Sequence, residues 1–153
     1  MADTSLVEIN IGLLIWKTSN LWQSRLRQIL YPYNLSLNEY LILKSIKDLS
    51  EKKLILNQNK IAINIGINIS VASVTIKSLE GKFFIDRKND KDNRKKNITL
   101  LDKGLKILEV INPSIELEEK TLFNKLNNET FNFTNSLKLL LGKKIRIKAN
   151  YNE

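Results

Sequence analysis

Apolar residues recur at helical spacing through the N-terminal part of the chain. From Leu6 to about Tyr31 they form two stripes along a segment without proline, and this pattern predicts one long helix. Two stripes indicate burial on more than one side, which is more than a surface helix needs. We therefore expect the helix to pack against its own chain and against a second copy; a core helix in a monomer is the alternative.

A second helix is expected directly after the first. Pro32 ends the long helix, and Ser36 with Glu39 forms the S-x-x-E pattern of a capping box, in which side chains satisfy the free N–H groups of a helix start. The apolar positions that follow predict a helix that braces the next unit. Residues 50–56 form a short connection, which can add a small strand to a neighbouring sheet.

Two more helices are predicted in the C-terminal third of the chain. Apolar positions indicate a helix from Asp102 to about Leu126. Pro113 should kink or break this helix, because proline lacks the N–H donor. A last helix is expected from Asn127 to about Ile147.

The segment from Asn57 to Leu100 has a different order of elements. Asn57 can cap a short helix, and Gly66 stands where the chain must turn, since glycine adopts positive φ without a steric penalty. Asn68 or Ser70 can cap the helix that follows. The pattern predicts a helix, a tight turn and a second helix.

The second helix of this pair has one apolar face, formed by Ala72, Ile76 and Leu79. Its other face is small and partly polar, and consists of Ser70, Val71, Ser73, Val74 and Lys77. Hydroxyl and methyl groups of this size can meet base edges in a major groove, which admits an α-helix. This face is therefore the candidate for reading DNA.

A basic hairpin is predicted after this helix. The sequences FFIDRK and KKNITL alternate and are rich in strand formers, and the turn residues NDKDNR separate them. From Lys82 to Lys96 there are seven Lys or Arg residues against three Asp. A projecting hairpin of this charge suits phosphates and a narrow minor groove.

The whole chain is basic as well. It has 25 Lys and Arg residues against 16 Asp and Glu, which gives a formal net charge of +9 over 153 residues. This balance indicates an anionic partner, with nucleic acid as the favoured class. General solvation is the alternative, and the clustering of charge in the hairpin carries more weight than the total.

The chain has neither cysteine nor histidine. Disulfides, thiolate metal sites and cysteine redox sensing are excluded, and catalytic triads and histidine bases are absent. We expect no cofactor, and an enzyme is the least favoured class. The carboxylates Glu116, Glu118 and Glu119 are read as a solvated face in preference to a cation site. No long apolar run or secretory signal is visible, so we expect no membrane partner and a cytoplasmic location.

The chain resembles the MarR family of bacterial transcription regulators along nearly its whole length. The resemblance is carried by Ile61-Ala62, Ile65-Gly66, Ser70 to Glu80, Ile85-Asp86-Arg87, Asp92-Asn93-Arg94, Leu100 with Gly104, and Leu13-Leu14-Ile15-Trp16. It implies a mainly α fold with a small β-hairpin wing in one domain, residues 1–153. Residues 36–100 would form a winged helix-turn-helix lobe, and residues 6–31 and 102–147 would form the N- and C-terminal dimerisation helices.

The resemblance implies a sequence-specific regulator, a repressor, that binds double-stranded DNA as a homodimer. In this reading the helix face named above enters the major groove, and Asn57 and Gln58 contact phosphates. The wing residues that would contact DNA are Arg87, Lys88, Lys91, Asp92, Arg94, Lys95 and Lys96. Arg94 would enter the minor groove, and Asp92 would orient it or pair with Arg87.

The residues themselves point to the kind of operator. Val71 and Val74 can pack on thymine methyl groups but cannot make a bidentate contact to guanine. Two recognition helices related by a two-fold axis read a site with the same symmetry. We therefore expect an A·T-rich near-palindrome.

The resemblance also implies a small aromatic ligand. The candidates for its site are Trp16, Lys17, Asn20, Trp22 and Arg25. An aromatic stripe at helical spacing is also typical of core packing, and that reading is favoured.

Three positions depart from the family pattern. Phe83 stands where the family usually has glycine, so that Gly81 can end the helix early instead. Leu101 replaces the usual capping threonine, which leaves Asp102 to cap. Val74 replaces a frequent arginine.

Two other functions use the same features. One is a winged-helix module for protein interaction, and the other is a DNA-compacting protein; neither has operator specificity. The interaction module predicts weak, salt-sensitive DNA binding that does not depend on sequence. The DNA-compacting protein predicts cooperative coating of any A·T-rich DNA.

Overall fold

The computed structural model describes residues 10–89 and 96–145. Its helices are α1 (Ile11–Leu30), α2 (Leu37–Ser50), α3 (Gln58–Ile65), α4 (Ile69–Gly81), α5 (Asp102–Phe123) and α6 (Thr130–Leu140). Two strands, β1 (Ile85–Asn89) and β2 (Lys96–Leu100), form an antiparallel hairpin. The predicted mainly α fold with a hairpin wing is confirmed.

The chain forms two compact units, Met1–Glu116 and Leu117–Glu153. The first unit contains α1 to α4, the hairpin and most of α5. The second contains the end of α5, a 3-10 segment (Asn124–Glu129) and α6.

The core of the first unit lies between α2, α3, α4, the hairpin and α5. Its fully buried side chains include Tyr40, Leu43, Ile61, Ile76 and Leu108. The hydroxyl of Tyr40 donates to Asn112 Oδ1 at 3.1 Å and so ties α2 to α5. This core packs α3, α4 and the hairpin against α2 and α5.

The first helix is confirmed over the residues that the structure describes. Asn10 caps α1 by accepting from the Leu13 amide at 3.2 Å. Near its end Leu26 and Leu30 are buried, whereas Leu14 and Trp16 in the first half are exposed. Residues 6–9 of the predicted helix lie outside the described residues.

The short connection after α2 does not add a strand. The described sheet has two strands in register, with Ile85 opposite Leu100 and Arg87 opposite Ile98. The Leu56 carbonyl accepts from the Ile98 amide at 2.9 Å, and the Leu56 amide donates to Asn97 Oδ1 at 3.1 Å. The connection is tied to the hairpin at one residue, so the additional strand that it could have formed is not present.

Of the kink or break predicted at Pro113, the break is wrong, and the bounds of the predicted last helix also need correction. α5 continues through Pro113 to Phe123. The next helix begins at Thr130 instead of Asn127, because Asn127 takes a non-helical conformation with φ 45°. It ends at Leu140, and residues 146–153 lie outside the described residues.

Within residues 10–89 and 96–145, no single helix combines the length and hydropathy of a membrane span. Among these residues only the bent pair α3 and α4, taken together, reaches that length and hydropathy.

Candidate nucleic-acid interface

The helix pair α3 and α4 is built by local signals that the sequence displays. Asn57 caps α3 through a 2.9 Å bond from the Lys60 amide. Gly66 ends it with φ 74°, and Asn68 caps α4 by accepting from the Ser70 amide at 2.9 Å. The two helices are bent by 114° at the turn, which lies in the range of helix-turn-helix motifs.

The candidate reading face of α4 is open to solvent. Val74 is 72% exposed, and Ser70, Val71 and Lys77 are also exposed, whereas Ser73 is half-buried. The Ser70 hydroxyl donates to Asn68 Oδ1 at 2.7 Å, so it is partly occupied in the cap. Ala72, Thr75, Ile76 and Leu79 on the other face are buried. The face therefore presents two valine side chains and one cation.

Asn57 and Gln58 lie together at the start of α3, and both are half-buried. The carbonyl oxygen of the Asn57 side chain is used by the cap. Their position at a helix N-terminus favours an anion such as a phosphate.

An ion pair braces the last turn of α4 against α2. Lys82 Nζ donates to Glu39 Oε2 at 2.8 Å and to the Asn34 carbonyl at 2.9 Å. The Ser78 hydroxyl donates to Glu39 Oε1 at 3.1 Å. The Glu39 amide donates to Ser36 Oγ at 3.1 Å, as the capping box predicts. The capping box is therefore confirmed as a helix start. The Glu39 carboxylate, however, contacts the end of α4 and not the backbone of its own helix.

The chain leaves α4 through a turn with two characteristic backbone bonds. The Phe84 amide donates to the Leu79 carbonyl at 3.1 Å, and the Phe83 amide donates to the Glu80 carbonyl at 3.0 Å. This is the Schellman arrangement, in which one residue takes a left-handed conformation. That residue is Phe83, with φ 62° and 69% exposure. Gly81 is the last residue of α4 and does not end the helix earlier.

The wing places its two described cations on opposite faces. Arg87 donates from Nε to Glu80 Oε2 at 2.7 Å, on the side of β1 that carries buried Ile85. Lys88 is exposed on the other side. Lys91, Asp92, Arg94 and Lys95 lie outside the described residues, and of Lys96 only the backbone pairing with Asn89 is described.

Glu80, Glu39 and Lys82 are the interface-bracing residues that sequence reasoning missed. Glu80 was noted only as part of a family motif, and Glu39 only as a capping residue. The sequence does show the charges themselves: Lys82 directly follows α4, and Arg87 comes seven residues after Glu80. Nothing in the local pattern, however, shows which acid meets which cation.

The ligand candidates do not converge on one face of α1. Trp16 is 65% exposed, and Lys17 and Asn20 are exposed near it. Trp22 packs against the core instead, and Arg25 is half-buried. A cleft of 520 Å³ lies beside the end of α1 and is lined by Tyr31, Ser36 and Lys82 among others, but by none of the five candidates.

Within the part of the chain that the structure describes, no group of three or more acidic, histidine or cysteine side chains is placed to hold a metal ion.

Comparisons with known proteins agree with this geometry. Residues 35–96 match the model of the MarR family. An uncharacterized HTH-type transcriptional regulator, YdcH of Bacillus subtilis (strain 168), is 28% identical over 131 residues, which cover 85% of this chain and 88% of the relative.

Two solved structures share the fold. One is the complex of S. aureus MepR with DNA, with a TM-score of 0.75 and 22% identity over 93% of this chain and 98% of that chain. The other is CouR from Rhodococcus jostii RHA1 bound to p-coumaroyl-CoA, with a TM-score of 0.76 and 17% identity over 95% of this chain and 100% of that chain.

Proposed function

We propose that the chain, whose residues 35–96 match the model of the MarR family, is a transcription regulator of that family and represses transcription as a homodimer on an A·T-rich near-palindrome. The observation that carries this proposal is the exposed face of α4. A side chain as apolar as Val74, 72% exposed in the middle of a helix-turn-helix, gains from contact with a thymine methyl group. It offers no hydrogen bond to guanine.

The proposed homodimer is supported by apolar surface on the terminal helices. Trp16 and Leu14 on α1 are exposed. On α6, Leu139 and Leu140 are exposed in the same way, and none of the residues of that helix is buried. Large exposed apolar groups of this kind mark interaction surfaces. A two-fold dimer would set two copies of α4 about one turn of DNA apart.

The wing supplies charge in this proposal. Lys88, Lys91, Lys95 and Lys96 attract phosphates, and Arg94 enters the minor groove with Asp92 beside it. Asn57 and Gln58 add phosphate contacts from the start of α3. The repressor would act on DNA in the cytoplasm.

A ligand response forms a further part of the proposal. CouR was solved with p-coumaroyl-CoA bound. In this chain the exposed Trp16, Lys17 and Asn20 offer an aromatic surface with a cation, and a second copy would supply the facing wall. Titration of tryptophan fluorescence with a panel of aromatic acids tests this part, and an unchanged spectrum with every acid counts against it.

The main test is selection of binding sites from a random DNA pool by the purified protein at about 150 mM salt, where non-specific binding is weak. We expect enrichment of an A·T-rich near-palindrome with half-sites about 10 base pairs apart. Light scattering of the same sample reports the oligomeric state.

The alternatives predict other results of the selection. A DNA-compacting protein would coat any A·T-rich DNA without enriching one motif. An interaction module would bind weakly, and its binding would vanish as salt rises. Either outcome would overturn the operator proposal.

A further inference from the structure

The carboxylate of Glu80 and the guanidinium of Arg87 form an ion pair between the recognition helix and the wing. Arg87 donates to Glu80 Oε2 from Nε at 2.7 Å and from Nη2 at 2.5 Å. Glu80 belongs to the last turn of α4, and Arg87 is the middle residue of β1. The pair therefore closes the Schellman turn that joins the two elements that would contact DNA.

The orientation of Arg87 sets it apart from the other cation described on β1. Its side chain is 20% exposed, and it shares the face of β1 with buried Ile85. Lys88, the next residue, is exposed on the opposite face. A guanidinium held by a carboxylate on the inner face is placed to fix geometry, whereas Lys88 is placed to attract phosphate.

We propose that Glu80 and Arg87 are positioning residues for DNA binding, a role that rests on the proposed function. The pair fixes the angle between α4 and the wing, so that one half-site meets both elements at once. Two elements held in the binding geometry before the encounter lose less conformational freedom on binding.

This role predicts effects that charge alone does not. The Glu80→Gln substitution removes a negative charge from a basic protein, and long-range attraction to DNA would then tighten binding. Loss of positioning weakens binding. The two explanations therefore predict opposite signs for the same variant.

Stability separates positioning from a general loss of structure. The Glu80 side chain is 40% exposed, and ion pairs at such sites contribute little to folding. We therefore expect thermal midpoints close to that of the wild type, with the effect confined to DNA affinity.

The test measures Kd on one duplex, selected by the wild-type protein, for Glu80→Gln, Arg87→Gln and the double variant. We expect Kd to rise about tenfold in each single variant and no further in the double variant, because both remove one interaction. The exchanged pair, Glu80→Arg with Arg87→Glu, should recover most of the affinity. Loss of structure or of a phosphate contact would not be rescued in this way.

Two matched controls accompany these variants. Glu109→Gln removes an exposed carboxylate from α5 and should leave Kd unchanged or slightly lower. Lys88→Gln removes a cation from the same strand and should lower the salt dependence by about one counterion, whereas Arg87→Gln should leave it unchanged.

Equal or tighter binding by Glu80→Gln overturns the inference, as does full additivity of the two single variants. In either case wild-type binding to the selected duplex leaves the proposed function standing. Failure of the wild-type protein to select any site overturns the proposed function and this inference with it.

Discussion

Gly104 lies so close to the backbone of Phe84 that a Cβ atom on Gly104 would stand 2.2 Å from the Phe84 carbonyl oxygen. That oxygen also accepts from the Leu101 amide at 3.0 Å. The start of α5 therefore packs directly on the segment that joins α4 to the wing. The contact is between backbone groups, which have little freedom to move apart.

We expect Gly104→Ala to lower the free energy of unfolding by about 3 kcal/mol, as overpacking of a rigid site does. Urea denaturation at fixed protein concentration measures the change. Gly12→Ala is the control, because nothing lies within 4 Å of a Cβ atom there. Because Gly12 lies in a helix, Gly12→Ala should raise the free energy of unfolding by up to about 1 kcal/mol. Equal stability of the two variants would contradict the prediction.

Phe83→Gly should raise the free energy of unfolding by about 1 kcal/mol, since a left-handed conformation is unfavourable for every residue with a Cβ atom. Another turn of the same kind follows α6, and there the residue at φ 68° is Gly142. Phe83 is mostly exposed, so little burial is lost. Phe83→Ala keeps the strain and should show no gain. A loss of stability in the glycine variant would mean that the ring makes favourable contacts.

Leu101→Thr should stabilise the chain by about 1 kcal/mol, because a hydroxyl before α5 can accept from a free amide of its first turn. α5 begins at Asp102, which therefore lies inside the first turn and not at the capping position. The expectation that Asp102 caps the helix is wrong. Leu101→Val has the shape of threonine without the hydroxyl and is the control. Equal thermal midpoints of the two variants would argue against the cap.

Val74→Arg should change the operator. A guanidinium on the exposed face of α4 can bind guanine O6 and N7, a contact that discriminates by about 1–3 kcal/mol. Repeated selection from the random pool should then enrich a G·C pair in each half-site. Val110→Arg adds the same charge at an exposed position of α5 and should leave the selected motif unchanged. A wild-type motif from Val74→Arg would remove this residue from base reading.

Trp16→Glu should weaken the proposed dimer about 30-fold or more. The exposed Trp16 would become buried in the dimer, and a tryptophan buried in this way is a frequent anchor of interfaces. Light scattering over a dilution series measures this. Thr18→Glu places the same charge on an exposed position of α1 and should dissociate the dimer less. A Trp16→Glu dimer as tight as the wild type would place the interface elsewhere.

Local signals in the sequence located most helix starts correctly. Ser36, Asn57 and Asn68 each cap the helix that follows, and Gly66 takes the positive φ expected of it. These features depend on a few neighbouring residues, so the chain displays them directly.

Predictions that depend on distant partners succeeded less often. Pro113 does not end α5; Ile111 and Ile115 beside it are buried in the core, and burial of such side chains opposes the cost of about 3 kcal/mol that the lost hydrogen bond and the ring clash of an internal proline impose. The structure pairs Arg87 with Glu80, seven residues earlier, and this contact was not predicted from the sequence; the expected contacts of Arg87 with DNA and with Asp92 stay predictions. The turn after α4 brings the Glu80 and Arg87 side chains together, and their spacing in the sequence does not reveal the contact.

The two ends of the wing differ in how freely they can vary during evolution. At position 83 the space admits side chains of many sizes, since Phe83 points largely into solvent, and the left-handed backbone favours glycine and disfavours β-branched residues. At position 104 every residue except glycine meets the carbonyl of Phe84. Substitutions at Phe83, before the wing, should therefore be tolerated during evolution. Substitutions at Gly104, after the wing, should not.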